Sequence, residues 1–231
     1  MRQKTSLVTP DSIARQSATI ASSILSSDRY KDASAISVYL SMPKGEVVTK
    51  AIASDALAKG KTVYVPFLRA GTKSGLTSKH MDMVSLHSQD DLERCEGNRD
   101  KWGIPSIDNS SSIGRKSLLA SPETLLDIVL MPGLAFDLNC KRLGHGKGFY
   151  DGFLAEYAAA RRDKSSKAMP YLSNPDHPQP ALGALSDCDI VGMALVEQVL
   201  PQGENIPVDD NDWLLDALAV GDGSFVVREK Q

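Results

Sequence analysis

The sequence predicts an α/β protein built on a three-layer, open, mostly parallel, doubly wound sheet with helices on both faces. Three observations carry this expectation. Apolar runs such as Ile36-Ser37-Val38-Tyr39-Leu40 and Ile128-Val129-Leu130-Met131 have the length and composition of buried strands. Segments with helical spacing separate such runs, as at 46–59 and from Phe149 onward. Twice, strand, short loop and helix follow one another directly, the order of a parallel βαβ unit.

Taken in order, residues 10–27 form the first predicted helix. Pro10 and Asp11 suit its first turn, and Ile13, Ile20, Ile24 and Leu25 give it an apolar side. The strand at 36–40 leads through a loop at 41–46 into a helix over 46–59, which Gly60 stops. Thr62 to Leu68 is the next strand, 69–79 a flexible loop rich in Gly, Ser, Thr and Lys, and Met81 to Leu86 another strand. A short helix is expected over 90–95 and largely irregular chain over 97–126, mobile in its polar section. Past the central strand and helix, 162–187 is rich in Ser, Pro and Asp and reads as an inserted loop. Val191 to Val199 is a strand, Asp212 to Val220 a short helix, and Phe225 to Arg228 an edge strand. The expectation is one domain over 1–231 with loop insertions at 69–79, 106–117 and 162–187. Ligands of doubly wound sheets sit at the carboxyl ends of strands. The loops after Leu40, Leu86 and Met131 are therefore expected to share one rim.

Composition narrows the function classes. A chain of 231 residues has length for a sizeable core, and its net charge of −3 offers no nucleic-acid face. No apolar run has membrane-spanning length, and MRQKTSLVTPDSI has no apolar signal core. Cys95, Cys140 and Cys188 are odd in number, far apart, and read as reduced thiols. A cytoplasmic monomer without nucleic-acid or membrane partners is expected.

The chemistry concentrates between the central strand and its helix. Arg142, Gly144, Gly146, Lys147 and Gly148 fall within seven residues. Glycines let backbone N–H groups approach a ligand, and the following helix N-terminus adds free donors and a positive dipole end. With two full cations the loop reads as an anion cradle suited to phosphate. It is neither GxxxxGK[ST] nor GxGxxG.

RLGHGKGFYD, preceded by MPGLAFD, closely resembles the signature of the 5-formyltetrahydrofolate cyclo-ligase (methenyltetrahydrofolate synthetase) family. The resemblance continues through ISVYLSMPKGEVVT at 36–49, GKTVYVPFL at 60–68, HMDMVSL at 80–86, DKWGIPS at 100–106 and EQVLPQGENIPVDDNDWLLDAL at 197–218. It looks most like the fungal members. The resemblance implies ATP- and Mg²⁺-dependent closure of 5-formyltetrahydrofolate, with or without a polyglutamate tail, to 5,10-methenyltetrahydrofolate, releasing ADP and phosphate.

Residue by residue, the resemblance implies ATP contacts from Arg2, Lys4, Arg142, Leu143, Gly144, His145, Gly146, Lys147, Gly148, Phe149 and Tyr150. It implies folate contacts from Leu40, Glu46, Trp102 and the run His145, Gly146, Lys147, Gly148, Phe149. Lys147 and Arg142 are the implied catalytic cations, and Asp151 and Asp212 the implied Mg²⁺ ligands. Three departures stand out. The family usually carries a longer basic helical segment before the position of Pro10, Arg or Tyr at His145, and Tyr at Phe149. Simpler roles exist beside these. An acid such as Glu46 or Asp151 at a helix start is favoured by the dipole alone, and Trp102 can plug a core as well as stack on a pterin. His80, His87 and His177 make no metal set. Two rival readings remain: a different enzyme on the same kind of sheet, such as a sugar-phosphate isomerase or CoA transferase, and a folate- or nucleotide-binding protein that lacks turnover because its basic N-terminus is shortened.

Overall fold

The computed structural model describes residues 5–73, 76–100, 103–108, 110–121, 123–164 and 188–229, with backbone alone for 70–73, 76–79 and 162–164. The order is α1 (Pro10–Ser26), α2 (Asp28–Asp32), β1 (Ala35–Ser37), α3 (Lys50–Ala58), β2 (Thr62–Lys73), β3 (Leu76–Leu86), α4 (Gln89–Gly97), β4 (Ile128–Met131), β5 (Ala135–Phe136), β6 (Arg142–Leu143), α5 (Phe149–Lys164), β7 (Asp189–Ala194), β8 (Ala217–Val220) and β9 (Phe225–Val227). Among these, β3-β2-β1-β4-β7-β8-β9 form one sheet, and β5-β6 a separate two-stranded one. The inner pairs from β2 to β8 are parallel, whereas β3 and β9 join antiparallel at the two ends.

Strand periodicity explains the three layers. Along β4, Ile128 and Leu130 enter one core cluster while Val129 and Met131 enter the other. The first cluster holds Ile20 and Ile24 of α1, Ile52 and Ala53 of α3, and Leu92 of α4. The second holds Phe153, Leu154 and Tyr157 of α5. Both faces of the sheet are covered, so its strands read as continuous apolar runs.

Helix α1 begins as its sequence suggests, with Pro10 in the first turn and the Thr9 side chain accepting from the Ser12 N–H at 3.3 Å. Four expectations need correction. Helix α3 begins at Lys50, not at 46, because the Val48 N–H is captured by Ser17 Oγ of α1 at 2.9 Å. The expected loop at 69–79 is strand to Lys73 and again from Leu76, paired as a hairpin. The expected strand 191–199 ends at Ala194 and is followed by a 3₁₀ turn at Val196–Gln198. The expected helix at 212–220 is irregular chain followed by strand β8.

The irregular stretch expected to be mobile has a firm anchor. Arg115, with a 5 % exposed side chain, makes a bidentate pair with Asp91 of α4 at 2.5 and 2.7 Å and donates to the Ser85 and Ser111 carbonyls. The guanidinium holds the Asp91 carboxyl well below the usual carboxylate range, against the opposing effect of burial. Arg115→Ala would leave that buried carboxylate with only the longer Arg94 pair at 3.4 Å and the His87 N–H, so a loss of about 3 kcal/mol in urea unfolding is expected. A loss under about 1 kcal/mol would show the anchor to be dispensable.

Candidate active site

Strand β1 connects through α3 to β2 on one side of it, and β4 connects through α5 to β7 on the other. The chain therefore changes direction between the neighbouring strands β1 and β4. This is the switch point where open α/β sheets bind ligands. The segments leaving the carboxyl ends of these two strands carry most of the residues singled out above. The loop after Leu86 does not share this rim. Leu86 pairs with Val63 at the start of β2, so β3 ends at the opposite edge. Chain from that edge returns through α4, and Gly103, beside Trp102, then lies against Pro43, where an added Cβ would stand 3.1 Å from the ring.

After β1, Leu40 is buried and Glu46 is 7 % exposed. Glu46 is not on a helix. Its Oε2 accepts from the Met42 N–H at 2.6 Å, closing the loop on itself. Burial pushes its carboxyl up to about 7, with the Met42 hydrogen bond opposing. Tyr39 and Tyr150 have hydroxyls held above the ordinary phenol range, first by burial and then by the nearby Glu46.

After β4 the chain forms the β5–β6 hairpin, which carries Arg142 and Leu143, and then the loop 144–148 that opens α5. The glycines here serve two purposes. A Cβ on Gly144 would stand 2.8 Å from Arg142 Nη1, and one on Gly133 2.6 Å from the Phe136 ring and 3.0 Å from Arg142 Cγ, so Gly144 makes room for the arginine and Gly133 for both side chains. Gly146 and Gly148 have φ of +73° and +61°, and a Cβ there would meet nothing within 4 Å. Those two are required by the left-handed backbone, beside open space. Lys147 between them is exposed and makes no ion pair among the described residues. His145 is exposed beside it.

Arg142, with a 7 % exposed side chain, pairs with Asp151 of the first turn of α5 at 2.8 Å and stacks its guanidinium 5.9 Å from the Tyr150 ring centre. Tyr150 packs against both core clusters, beside Arg142 and close enough to Glu46 for the two to interact electrostatically. Asp151 Oδ1 also accepts from the Trp213 N–H at 3.2 Å. That bond brings the residue next to Asp212 onto the start of α5. Asp212 itself lies in irregular chain, not at a helix start, and its Oδ2 accepts from the Asp209 N–H at 2.9 Å. Phe149 is half-buried against the α5 side of the core. Arg2, Lys4 and Trp102 lie outside the described residues.

Among the described residues, Arg142 Nε and the Nε1 of Trp213, whose backbone N–H bonds Asp151, are buried donors without an acceptor. Unpartnered donors suit an anionic ligand. Among the described residues no three metal-ligating side chains cluster, so any ion here relies on few protein oxygens, as Mg²⁺ commonly does. The three cysteines are buried, and burial raises Cys95 and Cys140 to about 11 and Cys188 to about 12, which leaves them inert as nucleophiles. Neither Trp213 nor the buried Asp137 stands out in the sequence alone. The Asp-Leu-Asn turn at 137–139 is the one local signal for the latter.

Sheet, switch point and glycine loop together define an open α/β protein whose switch point carries a glycine-rich, cationic loop beside a buried carboxylate. The family profile described as the 5-formyltetrahydrofolate cyclo-ligase family matches residues 1–171, and the chain belongs to that family of enzymes. It is 31 % identical over 207 residues to the probable 5-formyltetrahydrofolate cyclo-ligase of Schizosaccharomyces pombe, covering 89 % of this chain and 84 % of that one. It is 28 % identical over 222 residues to the 5-formyltetrahydrofolate cyclo-ligase of Mus musculus, covering 96 % and 90 %. The NMR structure of Aquifex aeolicus 5,10-methenyltetrahydrofolate synthetase superposes with a TM-score of 0.62 at 22 % identity over 99 % of this chain and 89 % of that one, a likeness of fold. The activity is that of a 5-formyltetrahydrofolate cyclo-ligase. Among the described residues no helix is long and apolar enough to cross a membrane.

Proposed function

We propose that this enzyme closes 5-formyltetrahydrofolate to 5,10-methenyltetrahydrofolate with ATP as co-substrate and Mg²⁺ as cofactor, releasing ADP and phosphate. The observation that carries this reading is the meeting of the Glu46 pocket and the 142–148 loop through Tyr150 at the switch point. A buried carboxylate beside Leu40 suits the N–H donors of a pterin. By the family resemblance Trp102, next in sequence to the Gly103 that lies against Pro43, supplies the opposite wall. The loop's N–H groups, Lys147 and Arg142 suit a polyphosphate.

With both ligands in the crevice, the formyl oxygen attacks the γ-phosphorus and ADP leaves. N10 then closes onto the activated carbon and gives up its proton, and phosphate departs with the former formyl oxygen. The protein positions two substrates in line and neutralises charge on the moving phosphoryl group. Lys147 directs a point charge at it. Arg142, held through its Nη2 by Asp151, adds a fixed positive charge behind it. His145 and the backbone of residues 143, 144, 146 and 148–150 line the polyphosphate, and Arg2 and Lys4 add charge to the nucleotide. Mg²⁺ would supply positive charge against the transferring phosphate. Asp151 and Asp212 would hold it, with waters completing the shell. The enzyme acts as a cytoplasmic monomer in this reading.

The test is the absorbance of the methenyl product from 5-formyltetrahydrofolate, with ATP and Mg²⁺ each omitted in turn. A gain that needs both is expected. Tight folate binding with no gain would sink the reading in favour of a binding protein. Asp151→Asn and Asp212→Asn are each expected to raise the Mg²⁺ concentration for half-maximal rate by about 10-fold or more. An unchanged Mg²⁺ requirement in both would remove them as ligands.

A further inference from the structure

We propose that Asp137 is a positioning residue for this reaction, registering the two arms of chain that meet on Asp151; this rests on the site reading above. Asp137 is fully buried and forms no ion pair among the described residues. Its Oδ1 accepts from the Asn139 and Lys141 N–H groups, both at 3.0 Å, and its Oδ2 from the Ile206 N–H at 2.9 Å. The first two bonds fix the turn of the β5–β6 hairpin, which presents Arg142. The third captures the irregular chain between β7 and β8, which presents Asp212 and the Trp213 N–H.

The far ends of both arms meet again on one carboxylate. Arg142 Nη2 and the Trp213 N–H both donate to Asp151. The arms therefore close a ring, with Asp137 at one end and Asp151 at the other. Further bonds run between them: Leu200 N–H to the Phe136 carbonyl at 2.8 Å, Leu215 N–H to the Cys140 carbonyl at 2.9 Å, and Asn139 Nδ2 to Asn205 Oδ1 at 2.7 Å. Among the described residues no helix spans the β7–β8 connection beyond the 3₁₀ turn, so its place over α5 depends on such bonds. A carboxylate accepts on both oxygens, which an amide cannot do. Asp137→Asn can keep the hairpin turn on Oδ1 but sets an N–H₂ against the Ile206 N–H.

The experiment uses the full chain as Asp137→Asn, Asn139→Ala and Asp82→Asn. Asp82 is the comparator, a carboxylate 2 % exposed that bonds Arg69, Ser117 and the Met83 N–H, away from the ring. Hydrogen exchange of the Trp213 amide is followed by NMR without any ligand. It is expected to quicken about 10-fold or more in Asp137→Asn relative to amides of β4, and not in Asp82→Asn. In parallel, the Mg²⁺ half-saturation and the KM for ATP should rise about 10- to 100-fold with the KM for folate nearly unchanged. Asn139→Ala cuts an exposed link that folding does not need, and should move the same quantities about two- to threefold. It decides the matter if Asp137→Asn does not fold. Trp213 exchange that matches wild type in every folded variant of the ring, or rises equally in Asp82→Asn, overturns the proposal. That readout needs neither ATP nor Mg²⁺, so it stands apart from failure of the site reading, which full activity in Lys147→Ala would show.

Discussion

Lys147→Ala is expected to lower kcat by about 10²–10³ while leaving the fold intact. Lys147 sits between two left-handed glycines beside open space, and among the described residues no ion pair holds it. Its removal should therefore change stability by no more than about 0.5 kcal/mol. In turnover Arg142 does not replace it, because its Nη2 is committed to Asp151. The check is product absorbance under saturating ATP and folate, beside a urea melt. Near-normal kcat in a well-folded variant would show that the loop does not hold the transferring phosphate.

Glu46→Gln is expected to separate stability from function. Burial raises the Glu46 carboxyl from 4.5 to about 7, so between those values the folded protein holds a proton that the unfolded chain has lost. Stability from this group is thus complete below pH 4.5 and declines as pH rises to about 7, by about 3 kcal/mol in all. Glutamine keeps an oxygen for the Met42 N–H and never ionises. The variant should match wild type at pH 4.5 and exceed it by up to about 3 kcal/mol at pH 8. It should also bind folate about 10- to 100-fold more weakly there, having lost a charged acceptor. Urea melts at the two pH values, with folate KM at pH 8, test both parts. Equal stabilities at pH 8 would mean that Glu46 is not strained by burial.

What was legible in the sequence is what local pattern determines. The strand at 128–131, the loop containing Arg142 to Gly148 and the helix opening at Phe149 appear at the expected positions, because apolar length, glycine and charge are local facts. The helix expected at 212–220 is β8 because Leu214 to Val220 is nearly all apolar. Such a run fits a strand buried on both faces as well as a short helix, and periodicity cannot separate them. Glu46 leaves its expected helix for a reason that lies in α1, the Ser17 hydroxyl. The loop after Leu86 leaves the expected rim because 69–79, which reads as one loop, is largely strand, and the antiparallel pairing of β2 with β3 reverses the direction of β3. Of the site, the loop and its cations were legible. The Tyr150 bridge and the Asp137 ring were not, since each depends on contacts between segments far apart in the chain; the Arg142–Asp151 pair spans only nine residues but depends on how the glycine loop folds back.

The antiparallel strands at the two ends of the sheet have a kinetic consequence. The β2–β3 and β8–β9 hairpins close over short loops and cost little chain entropy to form. The crevice between β1 and β4 needs Ile36 to find Ile128 across most of the first half of the chain. In a refolding chain the margins of the sheet should therefore gain amide protection first, and the seam that creates the ligand site should close last. Partly folded molecules would then be hairpins without a crevice, with neither ligand able to bind and pull them toward the native state.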